Sequence, residues 1–267
     1  MEPDASWTGS MPQVYDRHLG PAVFAPVAAD LGARVAHLAP HRVLELAAGT
    51  GVATVALRDA VPDAELIATD LNPAMVAVGE QRVPSARWQV ADALDLPFPD
   101  RSFDLVACQF GVMFFPDKVA GLRECARVLE PGGRVLVVTW GDVARHTFSS
   151  ALVTAVGRVL ADPPAFIARV PHGYDDPRAL LADLGTAGFD DASVETVTVT
   201  GHASSAVDLA EGFCGGTPLR GELTARGDLE ALTRAVAAEM TAVLGEGPVT
   251  GTMEVHVGTG TRPHPGA

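Results

Sequence analysis

Three carboxylates stand at or near the ends of short apolar runs. Glu45 lies in Val43-Leu44-Glu45-Leu46, ahead of the small-residue stretch Ala47-Ala48-Gly49-Thr50-Gly51; Asp70 closes Leu66-Ile67-Ala68-Thr69; Asp92 follows Arg87–Ala91. Small residues in such a stretch let a ligand approach the backbone, and a helix starting near Val52 favours a negative group such as a carboxylate. An acid at the tip of the second run is placed to hold both hydroxyls of a ribose, and Asp92 with Ala93 can accept from an exocyclic amine. Singly, each acid is an ordinary solvated strand end. Gathered on one edge, they repel one another unless the ligand is cationic or rich in donors. A diphosphate fails that condition, and the dinucleotide pattern G-x-G-x-x-G is broken, because Thr54 stands where the third glycine belongs.

These residues need a scaffold that brings strand ends together. Short β-branched runs alternate with amphipathic stretches, which is the pattern of stacked β-α units and a mostly parallel sheet. Strands are expected at Arg42–Leu46, Glu65–Thr69, Arg87–Ala91, Phe103–Gln109 and Arg134–Trp140. Val119, Leu122, Ala126 and Leu129 paint one face of a helix, with Pro116 suited to its first turn and Pro131-Gly132-Gly133 ending it. Val23, Val27, Leu31, Val35 and Leu38 form a helical stripe before the first strand, and Asn72-Pro73 opens another helix. Ser193–Thr200 alternates strictly and predicts a strand with one solvated face. A helix at 229–243 and a strand at Thr252–Val257 close the chain, and that strand, with no crossover helix after it, can insert antiparallel. The Pro/Asp/Gly-rich stretch within 140–190 reads as a loop or cap.

An adenosine carrying a sulfonium and an amino group satisfies the electrostatic condition set by the three acids. The chain resembles the class I S-adenosylmethionine-dependent methyltransferases, of the group that includes the ubiquinone and menaquinone C-methyltransferases. The matching pieces are V-L-E-L-A-A-G-T-G at 43–51, T-D-L-N-P-A-M at 69–75, A-D-A-L-D-L-P-F-P-D-R-S-F-D at 91–104 and L-E-P-G-G-R-V-L at 129–136. The resemblance implies a Rossmann-like α/β fold: a seven-stranded, mostly parallel sheet with an antiparallel last strand and helices on both faces. It implies S-adenosylmethionine as cofactor, with Glu45 and the loop from Ala47 through Gly49 to Gly51 at its methionine end. Asp70 would hold the ribose, Leu71 and Met75 would line the adenine, and Asp92 with Ala93 would meet the adenine edge. Gln109 would face the cofactor, and Tyr15 would belong to an N-terminal lid over the sulfonium. The family often has glycine where this chain has Ala47. Residues 1–40 are thus expected to form a helical lid segment, and 41–267 one methyltransferase domain with cap or lid insertions around 141–190 and 201–250.

Methyl transfer is an in-line displacement with a neutral thioether as leaving group, so alignment and exclusion of water can supply most of the acceleration. A base is needed only where the acceptor must lose a proton. Candidates are His18, His146 and His172, and none has an acid partner at motif spacing, which favours alignment. Gln109-Phe110-Gly111-Val112-Met113-Phe114-Phe115 is unusually apolar for a loop, so Phe110 and Met113 are candidate walls of an acceptor pocket; Phe213, in the flexible-looking Phe213–Pro218 stretch, is a third. The expected acceptor is a small, apolar or aromatic molecule, methylated on O, N or C. Two other activities use the same fold: a cyclisation or isomerisation positioned by a bound sulfonium, and non-catalytic binding of an adenosyl ligand.

Composition narrows the remainder. With 267 residues, the chain can bury a large core without disulfides. A net charge of −14 argues against nucleic acid and anionic membrane as partners. Lys118 is the only lysine, so there is no P-loop, and the three cysteines, at 108, 125 and 214, form no metal-binding motif. The polar, acidic Met1–Ser10 stretch carries no secretory h-region, so a cytoplasmic protein is expected.

Overall fold

The computed structural model describes residues 7–264. Helix α1 (Met11–His18), a π-helical turn (Gly20–Phe24) and α2 (Ala25–Leu38) precede β1 (Arg42–Leu46). The chain then alternates through α3 (Val52–Ala60), β2 (Glu65–Asp70), α4 (Pro73–Arg82), β3 (Arg87–Val90) and β4 (Phe103–Gln109). Next come α5 (Lys118–Val128), β5 (Leu129–Trp140), α6 (Thr147–Val159), α7 (Phe166–Arg169) and α8 (Pro177–Thr186). Strand β6 (Asp190–Ala203), helices α9 (Ala206–Gly216), α10 (Leu219–Thr224) and α11 (Leu229–Leu244), and β7 (Val249–Thr261) complete it.

The seven strands form one sheet in the order β3-β2-β1-β4-β5-β7-β6. The pairs from β3 to β5 are parallel, while β7 runs antiparallel between β5 and β6. Leu44, Val106 and Val137 in the three central strands are fully buried, as expected of strands covered by helices on both faces. Strand β6 alternates between exposed and half-buried residues and keeps its solvated face. Because the strand order reverses between β1 and β4, their adjoining loops diverge and leave a crevice at the carboxyl ends. Glu45, Asp70, Gln109 and Trp140 all lie at or near that edge.

Some local expectations change. Helix α5 ends at Val128, but Pro131-Gly132-Gly133 is an irregular stretch inside β5 rather than a turn before it. The β4–β5 ladder shifts register between Phe103 and Leu105, which absorbs the residues that cannot pair regularly. Pro116 lies before the helix, and Asp117 caps it by accepting from the Ala120 N–H at 2.9 Å. Residues 206–216 are helical, so Phe213 belongs to α9 and not to a flexible loop. Gly216 marks a close crossing: a Cβ there would stand 2.5 Å from the Tyr15 backbone nitrogen. Residues 141–190 contain three helices, and residues 1–6 of the expected lid segment lie outside the described residues. No single helix among the described residues is long and apolar enough to cross a membrane.

Candidate functional site

The turn after β1 is held by Asp70 from the neighbouring strand. One Asp70 oxygen accepts the Gly49 N–H at 2.9 Å, and the other accepts the Asn72 N–H at 2.8 Å. The same carboxylate thus shapes both loops of the crevice and keeps lone pairs for a ligand. Gly49 and Gly51 have φ of +57° and +85°, the left-handed region that glycine adopts without strain. Ala47 also sits there, at φ +51°. An alanine in this conformation costs roughly 1–2 kcal/mol, which gives a physical reason for glycine at this position elsewhere in the family.

The Ala47 methyl group also crowds Gly111, the residue after Phe110 in the β4–α5 loop. A Cβ on Gly111 would lie 2.4 Å from the Ala47 Cβ and 2.7 Å from Cys108 Sγ. Gly111→Ala is therefore expected to destabilise the fold by about 1–3 kcal/mol. Adding Ala47→Gly should recover part of that loss by removing the nearer obstacle. Urea unfolding of the two single variants and the double variant checks this; additive effects would mean that the two loops do not touch in solution.

Glu45 is 1% exposed, and its Oε2 has no hydrogen-bond partner. Burial pushes its carboxyl up to about 8; the Thr54 hydroxyl opposes this rise and the Asp70 charge adds to it. Gln109 Oε1 is likewise buried without a partner, while its amide nitrogen donates to the Phe24 carbonyl at 3.3 Å. Both residues line a small recess of about 30 Å³ beside the 47–49 turn, together with Tyr15 and Thr50. A buried carboxyl, protonated at neutral pH but able to ionise beside an incoming cation, and a buried carbonyl with no partner suit a ligand bearing an ammonium and a positive sulfur.

Next to this recess lies a cavity of about 540 Å³. Tyr15, Ala47, Gly49, Asp70, Leu71, Met75, Asp92, Ala93 and Gln109 line it, and so do the acceptor candidates Phe110, Met113 and Phe213. His146 and His172 reach it as well. Gly51 lines neither space; it caps α3 against the Trp88 ring, so its role is the turn. His18 does not line either cavity. Its Nδ1 pairs with Asp208 at 2.6 Å, an acid partner 190 residues away that motif spacing could not reveal.

Several residues of the site leave little or no mark in the sequence. Trp140 stacks on Phe110 with ring centroids 3.5 Å apart, and Phe24 stacks on Tyr15 at 4.6 Å. Phe114 and Lys118 complete the wall on the α5 side. Asp16 accepts from Thr50 Oγ1 at 2.7 Å and pairs with Arg82, which ties the N-terminal helix to the 47–51 turn. An aromatic residue at the end of a central strand was the one available signal for Trp140. Asp16 had none.

Residues 43–133 match a family model described as a methyltransferase domain. A demethylmenaquinone methyltransferase of Thermus thermophilus is 35% identical over 165 residues, covering 57% of this chain and 75% of that protein. One from Deinococcus radiodurans is 39% identical over 164 residues, covering 56% and 68%. The chain is a class I S-adenosylmethionine-dependent methyltransferase. Among solved structures, phosphoethanolamine N-methyltransferase 2 of Haemonchus contortus with S-adenosyl-L-methionine shares the fold, with a TM-score of 0.58 at 16% identity. The match covers 95% of this chain and 57% of that one. The cofactor is S-adenosylmethionine, and the donor set of this methyltransferase fits it: acids and a free carbonyl line the crevice, with no arginine among the described lining residues. When bound, it supplies an electrophilic methyl group on a positively charged sulfur.

Proposed function

We propose that the methyltransferase acts on a small, planar, apolar acceptor, aromatic or quinone-like, and that alignment and exclusion of water supply most of the rate. The observation that carries this reading is the continuity of the cavity: the acids of the cofactor crevice open onto walls made by Phe24, Phe110, Phe114, Trp140 and Phe213. Five aromatic rings around one space favour a flat hydrophobic guest. The relatives' names point the same way, since the demethylmenaquinone methyltransferases act on a quinone-class molecule. Tyr15 would bind the cofactor at the junction of recess and cavity, and residues 11–38 would act as a lid tied down through Asp16. Asp70 would hold the ribose, Asp92 and Ala93 the adenine edge, and Glu45 with Gln109 the methionine end.

Transfer of labelled methyl from S-adenosylmethionine to 1,4-dihydroxynaphthalene and other bicyclic aromatics tests the reading. Label in an extracted product is expected; turnover of such compounds without label would favour a cyclisation or isomerisation. Phe110→Ala or Phe213→Ala should raise the acceptor KM about tenfold or more, because each removes a large apolar contact. S-adenosylhomocysteine affinity should change less than twofold. Equal losses for both ligands would put these rings in the cofactor half of the crevice.

A further inference from the structure

Beyond Trp140 the chain returns two imidazoles to the cavity. His146 lies edge-on to the indole at 4.9 Å, His172 lies 6.0 Å from it, and the two imidazoles are 5.3 Å apart and nearly perpendicular. Both are buried, at 1% and 4% exposure. Each has a backbone partner on Nδ1, and the two partners are of opposite kinds. His146 Nδ1 accepts the Ser149 N–H at 3.2 Å as it caps α6, so in the neutral ring the proton sits on Nε2. His172 Nδ1 stands 2.8 Å from the Gly141 carbonyl, which can only accept. His172 therefore carries its proton on Nδ1 and presents a bare lone pair at Nε2.

Burial holds both rings neutral. It pushes His146 down to about 3, with repulsion from His172 adding to the effect. It also lowers His172, against the opposing influence of the Gly141 hydrogen bond and of Asp175 and Asp142. Neither Nε2 has a hydrogen-bond partner among the described residues. The cavity wall thus holds a donor on His146 and an acceptor on His172, on rings whose centroids are 5.3 Å apart.

We propose that His146 and His172 form a recognition point for a hydroxyl group on the acceptor. The hydroxyl donates to His172 Nε2, and its oxygen accepts from His146 Nε2–H. A single hydroxyl satisfies both atoms. An ether or ketone oxygen satisfies His146 alone, and a carboxylate would face the His172 lone pair with no proton to offer. The acceptor class is therefore a flat, apolar molecule bearing a phenol-type hydroxyl. This inference rests on the apolar-acceptor reading above and adds the specificity that the aromatic walls cannot supply.

The test uses three probes that differ only at this oxygen: 1-naphthol, 1-methoxynaphthalene and naphthalene. Their dissociation constants are measured by equilibrium dialysis against the full chain saturated with S-adenosylhomocysteine. The expected order of affinity is naphthol, then the methyl ether, then naphthalene, with a spread on the order of 10²-fold between the first and the last. In His172→Ala, 1-naphthol should fall to the affinity of the methyl ether, which itself should change little. Retained S-adenosylhomocysteine binding shows that this variant is folded; if it does not fold, the wild-type series decides alone. Equal binding of naphthol and its methyl ether would overturn the histidine pair while leaving the apolar acceptor standing. Failure of all three probes to bind would overturn both.

Discussion

Glu45→Gln is expected to make the ligand-free protein more stable by about 2–4 kcal/mol at pH 8, while removing most of the stabilisation that the cofactor confers. The wild-type carboxyl titrates near 8 in the fold, against an ordinary 4.5, chiefly because it is buried. Between those two values the unfolded chain has already given up this proton and the folded chain has not. Stability is therefore greatest below pH 4.5 for this group and is lost as pH rises through 8, at up to about 1.4 kcal/mol per unit. A glutamine cannot ionise, so the variant should lack that slope, and the Thr54 hydroxyl beside the carboxyl can accept from the new amide. Urea unfolding at pH 5 and pH 8 measures the difference. Parallel pH dependences for the two proteins would show that Glu45 ionises freely in the fold. The thermal shift produced by S-adenosylhomocysteine should nearly vanish in the variant, because the proposed role of the unpartnered Glu45 oxygen is to pair with the ligand's ammonium.

Asp70→Ala is expected to weaken S-adenosylhomocysteine binding by about 3 kcal/mol or more, a loss beyond 10²-fold. Charge-assisted hydrogen bonds to a ribose account for about 1.5–3 kcal/mol of that. The remainder comes from the loops, since the same carboxylate holds the Gly49 and Asn72 N–H groups. Without it, the left-handed turn at 47–51 must be ordered by the ligand itself, at the expense of affinity. Asp70→Asn should fall between the two proteins, because its amide keeps one acceptor and sets an NH₂ against one of these backbone donors. Calorimetry on folded variants decides the matter, and unchanged affinity in Asp70→Ala would take this residue out of the site.

Both predictions concern residues that the sequence shows directly, and the reason is local. A strand followed by small residues and a helix is written in neighbouring positions. The boundaries of β1 and β4 match the residue types without adjustment, and the acids at 45, 70 and 92 occupy successive strand ends. A parallel sheet of β-α units then has few ways to arrange those ends, so the cofactor half of the crevice follows from the chain order. The antiparallel insertion of β7 between β5 and β6 agrees with the family resemblance.

The aromatic walls of the cavity were decided by packing between distant segments. Gly215 and Gly216 look like flexible punctuation, yet they lie in α9, where α1 approaches too closely for a side chain at Gly216. Ala47 reads as a mild replacement, but its backbone conformation and its proximity to Gly111 depend on how the β1 and β4 loops meet. His172 shows most clearly where residue types stop being informative. Its proton is positioned by the carbonyl of Gly141, a main-chain group that every residue carries and no spacing rule can single out. Side-chain chemistry and local periodicity determined the alternation of strands and helices and the strand-end acids, and the family resemblance of the segments at 43–51, 69–75, 91–104 and 129–136 implied the cofactor. Which nitrogen of His172 bears its hydrogen was decided only when the fold brought the Gly141 carbonyl, 31 residues back along the chain, against it.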